Sequence, residues 1–411
     1  MQCVNSLLQW WHGKNLPLRY IFPPDENLPK DFFKLIRLYF RTWVIHPLKR
    51  RLAKYYLLIL QSFFNLKVIA ITGSSGKTTT KDMLQSILSR EGETVSSYLN
   101  IDSTFNIPAT ILKCNPSTKY LILEMGVEYR GDMSFYRWLV NPDIAIITNI
   151  YQTHTLYFGN EEGVLEEKSG IVKGLGENAV VVLNSENKPS QKIIEKSKAK
   201  IIWFGKNGAF EAINLKLSFE GSHFILKSIN QKIEINIPLT GKHFVENALA
   251  ASTAASTLNI SFATIKAGLE KLIPQKQRMT VKTLKNGAVL LDDTYNNNPS
   301  AALATFFAAN EIRGTKKLIL VYGDMKELGN SEIQDHLDIG KAIENLGVDF
   351  AILVGPLSIY TRKSLKKTQN LRVETAQEVL PILKSQVTKN SLILIKGARS
   401  LKLEEVVNKL K

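Results

Sequence analysis

The sequence predicts an α/β protein: two successive, mainly parallel sheets preceded by a short, basic, helical segment. Three observations predict it. Strand-like runs alternate with helical stretches from residue 67 to 204, the same alternation resumes at residue 288, and residues 1–66 carry helical rather than strand periodicity. The 411 residues suit two to three domains at roughly 150 residues each. With 44% apolar and 22% charged residues the chain has a globular composition, which excludes a disordered or fibrous class. Two cysteines, Cys3 and Cys114, cannot build a disulfide framework and suit a reducing compartment.

Residues 1–66 hold ten Lys/Arg and three Asp/Glu, so they supply +7 of the net charge of +16. From Asp31 to Val44, Phe32, Leu35, Ile36, Tyr39, Phe40 and Trp43 recur at helical spacing, with Lys34, Arg37 and Arg41 on another face. A second basic cluster, Lys49, Arg50, Arg51 and Lys54, precedes the run Tyr55 to Leu60. Three readings stand side by side: a pair of helices docked on the next domain, an interfacial helix whose cations meet anionic lipid, which would give residues 31–54 a peripheral membrane contact, or a contact with nucleic acid. The apolar-rich run Tyr55 to Leu66 is twelve residues, short of the roughly 18 that span a bilayer. No cleavable signal follows Trp10-Trp11-His12. A cytoplasmic protein is expected, at most peripheral on the inner face of the membrane.

Lys67 to Thr72 reads as a buried strand and Lys77 to Ser89 as a helix; Tyr120 to Glu124, Asp143 to Asn149, Ala179 to Asn184 and Lys200 to Phe204 read as further strands. Ile213 to Pro238 alternates apolar and polar residues, as an antiparallel hairpin with one wet face does. Phe244 to Leu258 is an alanine-rich helix. Strands at 288–291, 317–321, 350–354 and 392–395, each followed by a helix, predict a second, doubly wound, Rossmann-like domain, with the boundary in Pro274 to Val281. The predicted divisions are 1–66, 67–278 and 279–411.

The strongest local signal is Ile69-Ala-Ile-Thr-Gly-Ser-Ser-Gly-Lys-Thr-Thr-Thr80, in which a strand runs through a glycine turn into a helix. That is the setting of a phosphate-binding loop and gives the central sheet a P-loop ATPase character. Gly73, Ser74, Ser75 and Gly76 would wrap a phosphate with backbone N–H groups at the helix N-terminus, with Thr79 beside them. Lys77 can reach the β/γ-phosphates and the Thr78 hydroxyl can ligate Mg²⁺. The general pattern places a glycine where Ile71 stands. ATP is the expected cofactor. Glu124, at the end of a strand beside the loop strand, can reach a metal over the phosphates.

Taken with the loop, Asn106-Ile-Pro108, Glu124-Met-Gly126, Thr148-Asn149 with His154, Lys168, Gly241-Lys-His243 with Asn247, Arg278-Met279, Asp292 to Pro299, Gly323 to Gly329 with His336, and Lys396-Gly397 resemble the Mur ligases, the ATP-dependent amide-forming enzymes of peptidoglycan synthesis. The match is nearest to the branch that adds D-alanyl-D-alanine to the UDP-muramoyl tripeptide. The resemblance covers about residues 67–411. It implies that Lys77, Glu124, His154 and Lys168 form the catalytic set and that Thr78, Glu124, His154 and Lys168 hold Mg²⁺, two ions in all. It also implies a Lys168 carbamylated by CO₂, Asn247 and Arg278 against the nucleotide, and Asp293 at the ATP ribose. At Gly170 the family places Glu. Asn296 and Asn298 lie in an amide-rich loop suited to a peptide or carboxylate, and Lys326, Glu327, His336 and Lys396, with Arg399, follow strands at the edge where ligands gather. These six are expected to meet the substrates, a nucleotide-linked peptide and D-Ala-D-Ala. No nucleic-acid partner is expected, and a monomer is. Cys114 reads as a core thiol.

The resembled enzymes carry an N-terminal α/β domain that binds the UDP-sugar, and residues 1–66 are too short and too helical to be it. Three readings stay open. The chain is a shortened D-Ala-D-Ala-adding ligase, a Mur-type ligase for another acid and amine, or a non-catalytic scaffold at the membrane.

Overall fold

A computed structural model of the chain describes residues 2–24, 28–98, 101–153 and 155–410. Helices α1 (Gln2–His12), α2 (Phe32–Phe40) and α3 (His46–Phe64) form the front segment, and no strand precedes β1 among the described residues. The expected helix over 31–44 and the run after it are one nearly continuous rod, joined by a π turn at Arg41–Ile45. Pro47 explains the turn. It has no N–H to give the Trp43 carbonyl four residues back, and its ring would press on that carbonyl, so the register opens. The freed Trp43 carbonyl accepts the Trp11 indole N–H at 2.6 Å, which ties α1 to the rod.

The central domain alternates β1 (Lys67–Thr72), α4 (Lys77–Leu88), β2 (Thr94–Ser96), α5 (Ser103–Ile111), β3 (Tyr120–Glu124), α6 (Asp132–Leu139), β4 (Ile144–Ile147), α7 (Thr155–Phe158), α8 (Glu161–Ser169), β5 (Val180–Asn184), α9 (Lys188–Gln191) and β6 (Lys200–Phe204). Its six strands are all parallel in the order β2-β3-β1-β4-β5-β6. Both faces of β1 are covered, Ile69 and Ile71 on one side and Val68 and Ala70 on the other, which is why it reads as a continuous apolar run. From β1 the chain goes first to the β3 side and then back to β4, so a crevice opens at the carboxyl end of β1. The expected hairpin is a separate three-stranded antiparallel sheet, β7 (Glu211–Ser218), β8 (Gly221–Lys227) and β9 (Lys232–Ile237). The alternation continues through all three strands, broken by a bulge where Asn214 takes a positive φ of 56°. Helices α10 (Lys242–Thr257) and α11 (Phe262–Glu270) then pack against α4.

The second sheet comprises β10 (Thr280–Thr283), β11 (Val289–Asp293), β12 (Lys317–Gly323), β13 (Phe350–Val354), β14 (Gln369–Val373) and β15 (Ser391–Lys396) in the order β10-β11-β15-β12-β13-β14, parallel except at β10. Helices α12 (Pro299–Ile312), α13 (Glu332–Leu346), α14 (Ser358–Lys363), α15 (Ala376–Gln386) and α16 (Glu404–Lys409) cover it. Phe306, Ala308 and Ala309 of α12 share the core that α10 and the central sheet build, so the two domains pack together.

On the other side, α3 buries Ala53, Leu57 and Leu60, spaced four and three residues apart, in the core with Ile107, Ile111 and Phe135. Each fully buried leucine contributes about 1.5–3 kcal/mol, so α3 docks. The opposite face stays bare: α2 buries nothing, Phe33 is 78% exposed, and Leu52, Tyr55, Ile59 and Phe63 of α3 face outward. No described helix is long and apolar enough to cross a membrane.

Candidate active site

The glycine loop sits at the crevice beyond β1, and its neighbours fix its shape. Gly73 and Gly76 have φ of 144° and 82°. A side chain on Gly73 would strike the Thr148 hydroxyl, and one on Gly76 the Asn247 amide, so both positions exclude a Cβ on two grounds. The Ser75 N–H donates to Asn149 Oδ1 at 2.9 Å and the Thr148 hydroxyl to the Ser75 carbonyl at 2.6 Å. Ser74 is held by the Asn149 carbonyl and by Tyr151. Gly76 provides no side-chain cap for α4, so the first N–H groups of the helix are left for an anion. Lys77 Nζ donates back to the Gly73 carbonyl at 2.9 Å, and Thr78 and Thr79 are buried at the helix start.

Parallel register sets Glu124 beside Ile71, at the same edge. There the Thr78 hydroxyl donates to Glu124 Oε1 at 3.1 Å, and the Arg278 guanidinium, from the turn that leads into β10, donates to Thr78 Oγ1 at 3.2 Å. Arg278 lies over the Tyr295 ring, 4.1 Å from its centroid. Burial pulls the Lys77 ammonium below its ordinary pKa; Glu124 opposes that and Arg278 adds to it. Lys168 is 1% exposed, behind the cleft wall, and burial holds its pKa well below the usual lysine range, with the Lys77 charge adding to the effect. Its neighbour Glu167 accepts the Gly131 and Met133 N–H groups at the start of α6. His154 lies outside the described residues.

The second domain closes the cleft, whose volume is about 710 Å³. Register places Asp293 beside Lys396 at the ends of β11 and β15. Lys396 Nζ donates to Asp293 Oδ2 at 2.6 Å and to the Asn296 carbonyl at 3.0 Å, so this lysine is engaged within the protein. Burial alone would raise the Asp293 pKa; the Lys396 ammonium and the Thr305 hydroxyl hold it below the carboxylate range. Asn296 and Asn298 line the cleft, and Asn298 also caps α12 through the Ala301 N–H. Asn247 and Arg278 line it too.

Lys326, Glu327 and His336 do not reach the cleft. His336 is fully buried, one ring nitrogen against the Glu332 carbonyl at 2.7 Å and the other accepting the Met325 N–H at 3.2 Å, so it shapes its own loop. That loop docks on α7: the Thr155 hydroxyl donates to the Leu328 carbonyl at 2.6 Å, and a Cβ on Gly329 would touch Leu156.

Three residues not anticipated from sequence line the cleft. Asp132 is buried, accepts the Glu128 and Tyr129 N–H groups through Oδ2, and has no partner for Oδ1; burial pushes its pKa up to about 7. Burial pushes His243 down to about 4, a neutral imidazole whose Nδ1 is also unpartnered. Tyr295 is the third. The motif Gly241-Lys-His243 carried a usable signal for His243; nothing in the spacing marks Asp132.

Among the described residues no three His, Cys, Asp or Glu side chains gather as a metal site. The donors present are the oxygens of Thr78 and Glu124, which suit a hard cation such as Mg²⁺. The unpartnered Asp132 oxygen, in electrostatic range of Lys168, is a further oxygen donor at this wall.

Residues 71–255 match the family pattern described as Mur ligase middle domain, and residues 277–399 that described as Mur ligase, glutamate ligase domain. The chain is 36% identical over 357 residues to the UDP-N-acetylmuramoyl-tripeptide–D-alanyl-D-alanine ligase of Buchnera aphidicola subsp. Baizongia pistaciae, covering 84% of this chain and 75% of that one. It is 32% identical over 400 residues to the protein of the same name from Escherichia coli, covering 94% and 83%. The crystal structure of MurF from Acinetobacter baumannii superimposes with a TM-score of 0.82 at 30% identity, over 88% of this chain and 79% of that one. The MurF ligase from Thermotoga maritima in complex with ADP shares the fold, with a TM-score of 0.79 at 24% identity over 88% and 82%.

Proposed function

The chain belongs to the Mur ligase family, and from that premise we propose that it is an ATP-dependent amide-forming ligase of peptidoglycan precursor synthesis that joins D-alanyl-D-alanine to a UDP-linked muramoyl tripeptide. The names of its relatives support this pair of substrates. The observation that carries the chemistry is the Arg278–Thr78–Glu124 chain of hydrogen bonds at the glycine loop, which ties the second domain to the phosphate site.

A carboxylate resists an amine because its leaving group would be an oxide. Transfer of the terminal phosphoryl of ATP to the peptide carboxylate gives an acyl phosphate, and the dipeptide amine then expels phosphate. The protein's work is to position the reactants and neutralise charge. The loop N–H groups and Lys77 hold the phosphates; Arg278 adds positive charge where negative charge develops on the transferring group. Thr78 and Glu124 would hold Mg²⁺, which would supply positive charge against the phosphates. Asp293 takes the ribose, Asn247 packs at the nucleotide, and Asn296 and Asn298 face the peptide. Packing of the second domain over the loop excludes water that would hydrolyse the acyl phosphate.

Lys168 and His154 would hold a second Mg²⁺. A buried lysine with a depressed pKa holds more of its amine neutral, and only the neutral amine adds CO₂ to become an anionic carbamate. With ¹³C-bicarbonate the protein should show a carbamate carbon resonance that Lys168→Ala lacks, and that variant should lose roughly 100-fold in turnover. A carbamate signal unchanged in the variant would remove Lys168 from this role. The substrate assignment is tested by purified protein with ATP, Mg²⁺, the UDP-linked tripeptide and D-Ala-D-Ala. ADP and amide should appear together; ADP released only with another acid or amine would move the chain to a different substrate pair.

The bare apolar and basic face of α2 and α3 supports peripheral contact with anionic lipid through residues 31–54. Co-sedimentation with anionic vesicles should exceed that with neutral ones and fall in high salt. Equal binding to both would leave that face without a lipid role.

A further inference from the structure

A second cavity, of about 680 Å³, lies where the front segment meets α5. Arg19, Arg41, Lys49, Arg50 and Lys113 line it, and none of the five makes a salt bridge among the described residues. Among the described residues the one carboxylate on its wall, Asp102, is taken: Oδ2 accepts the Tyr20 hydroxyl at 2.9 Å and Oδ1 the Thr104 N–H at 2.8 Å. Arg50 is 2% exposed; Nη1 donates to the His12 carbonyl at 3.3 Å, while Nε and Nη2 have no partner. The guanidinium lies near the Phe105 and Phe135 rings and in electrostatic range of Asp102, but its unpartnered buried N–H groups are costly, and an anion in the cavity would relieve them. Crowding tells the same story at His46, which burial, together with Arg50, Arg41 and Lys49, pushes down to about 4.

The cavity adjoins the active-site cleft. Tyr20, Ile101 and Asp102 line both. Helix α5 begins at Ser103, whose hydroxyl donates to the Glu124 carbonyl at 3.1 Å, and reaches Ala109 on the wall of the second cavity. Six residues of helix cover about 9 Å, so a ligand with its acid at the glycine loop can carry an anionic group into this pocket. Tyr98 and Phe105 add aromatic surface beside the cations.

We propose that this pocket, made by the front helices and α5, binds the diphosphate of the nucleotide-linked acid. The site rests on the proposed function in one respect only, that the acid is nucleotide-linked. The front segment thereby does more than dock: it supplies Arg19, Arg41, Lys49 and Arg50 to a substrate site.

The test uses the full chain with UDP as probe, measured by titration calorimetry, and with Arg41→Glu/Lys49→Glu as the variant. Arg41 is exposed and Lys49 half-buried, so the folded state should survive, as an unchanged melting temperature would verify. UDP should bind the parent chain without competing with ATP and bind the variant roughly 100-fold more weakly, a loss of two charge contacts at about tenfold each. The KM for the UDP-linked acid should rise alongside, while the KM for ATP stays. UDP affinity untouched by the double charge reversal would overturn the site, and so would binding only to vesicles bearing a prenyl diphosphate. The two readings fail differently. Sensitive UDP binding without ligase turnover would refute the substrate pair and leave the pocket standing. Turnover with equal KM for acids with and without the nucleotide would refute the pocket and leave the ligase.

Discussion

Lys77→Met should reduce ADP release by roughly 10³-fold or more, the scale seen when a cation at a transferring phosphoryl group is lost. Lys77 is the one cation inside the glycine turn, on the first residue of α4, and its Nζ is held by the Gly73 carbonyl within reach of any phosphate the loop wraps. Burial already disfavours its charged form, so methionine, of similar length, should leave the melting temperature within a few degrees of the parent. Initial rates of ADP formation with saturating acid and amine check the first part, and thermal unfolding the second. Turnover within tenfold of the parent would show that the loop lysine does not stabilise the transferring phosphoryl group.

The largest stability effect is expected at the other side of the cleft. Lys396→Ala should cost about 3–5 kcal/mol, the usual result of deleting one member of a buried ion pair, because it strands the Asp293 carboxylate beside the Thr305 hydroxyl and the Met279 N–H. The pH dependence gives the mechanism away. Asp293 has a folded pKa below the ordinary carboxylate value; the pair therefore stabilises the parent above about pH 3.9, the unfolded value, and that part is lost as pH falls through the folded value. Without Lys396, burial should raise the Asp293 pKa, so the gap between variant and parent should be widest at neutral pH and shrink on acidification. Denaturant unfolding of parent and variant at several pH values measures it. Asp293→Asn/Lys396→Met should recover most of the loss. A gap that does not change with pH would mean that packing, not charge, ties β11 to β15.

The parts of the fold that were legible in the sequence are those where local pattern and burial agree. β1, β3, β12 and β15 lie inside their sheets with both faces covered, and their apolar runs announce them. In the two large sheets the strands that escaped notice are at the edges: β2, β10 and β14 end them, and Thr94-Val-Ser96, Thr280-Val-Lys-Thr283 and Gln369-Asn-Leu-Arg-Val373 are polar as edge strands tend to be. The π turn was illegible because it follows from one proline acting on a carbonyl four residues upstream.

For the site, local chemistry revealed the glycine loop, since strand, turn and helix lie within a dozen residues. The Arg278–Thr78 bond joins residues 200 positions apart, and only the likeness to a family pointed to it. The same likeness pointed to Lys168, whose burial has no signature in Leu165-Glu-Glu-Lys168. His336 failed for the opposite reason. A histidine following a strand looks available until the Met325 N–H and the Glu332 carbonyl are seen to occupy its ring. The cations of the front segment suggested a surface for lipid; packing against α5 gathers some of them around a cavity instead.

The claim beneath all of this is that the terminal phosphoryl of ATP passes to the carboxylate of the acid before the amide forms. Acid labelled with ¹⁸O in that carboxylate tests it directly. If an acyl phosphate forms and the amine expels it, one labelled oxygen per turnover must leave in the inorganic phosphate, as mass spectrometry of the released phosphate would show. Phosphate free of label, with amide product formed, would contradict the account.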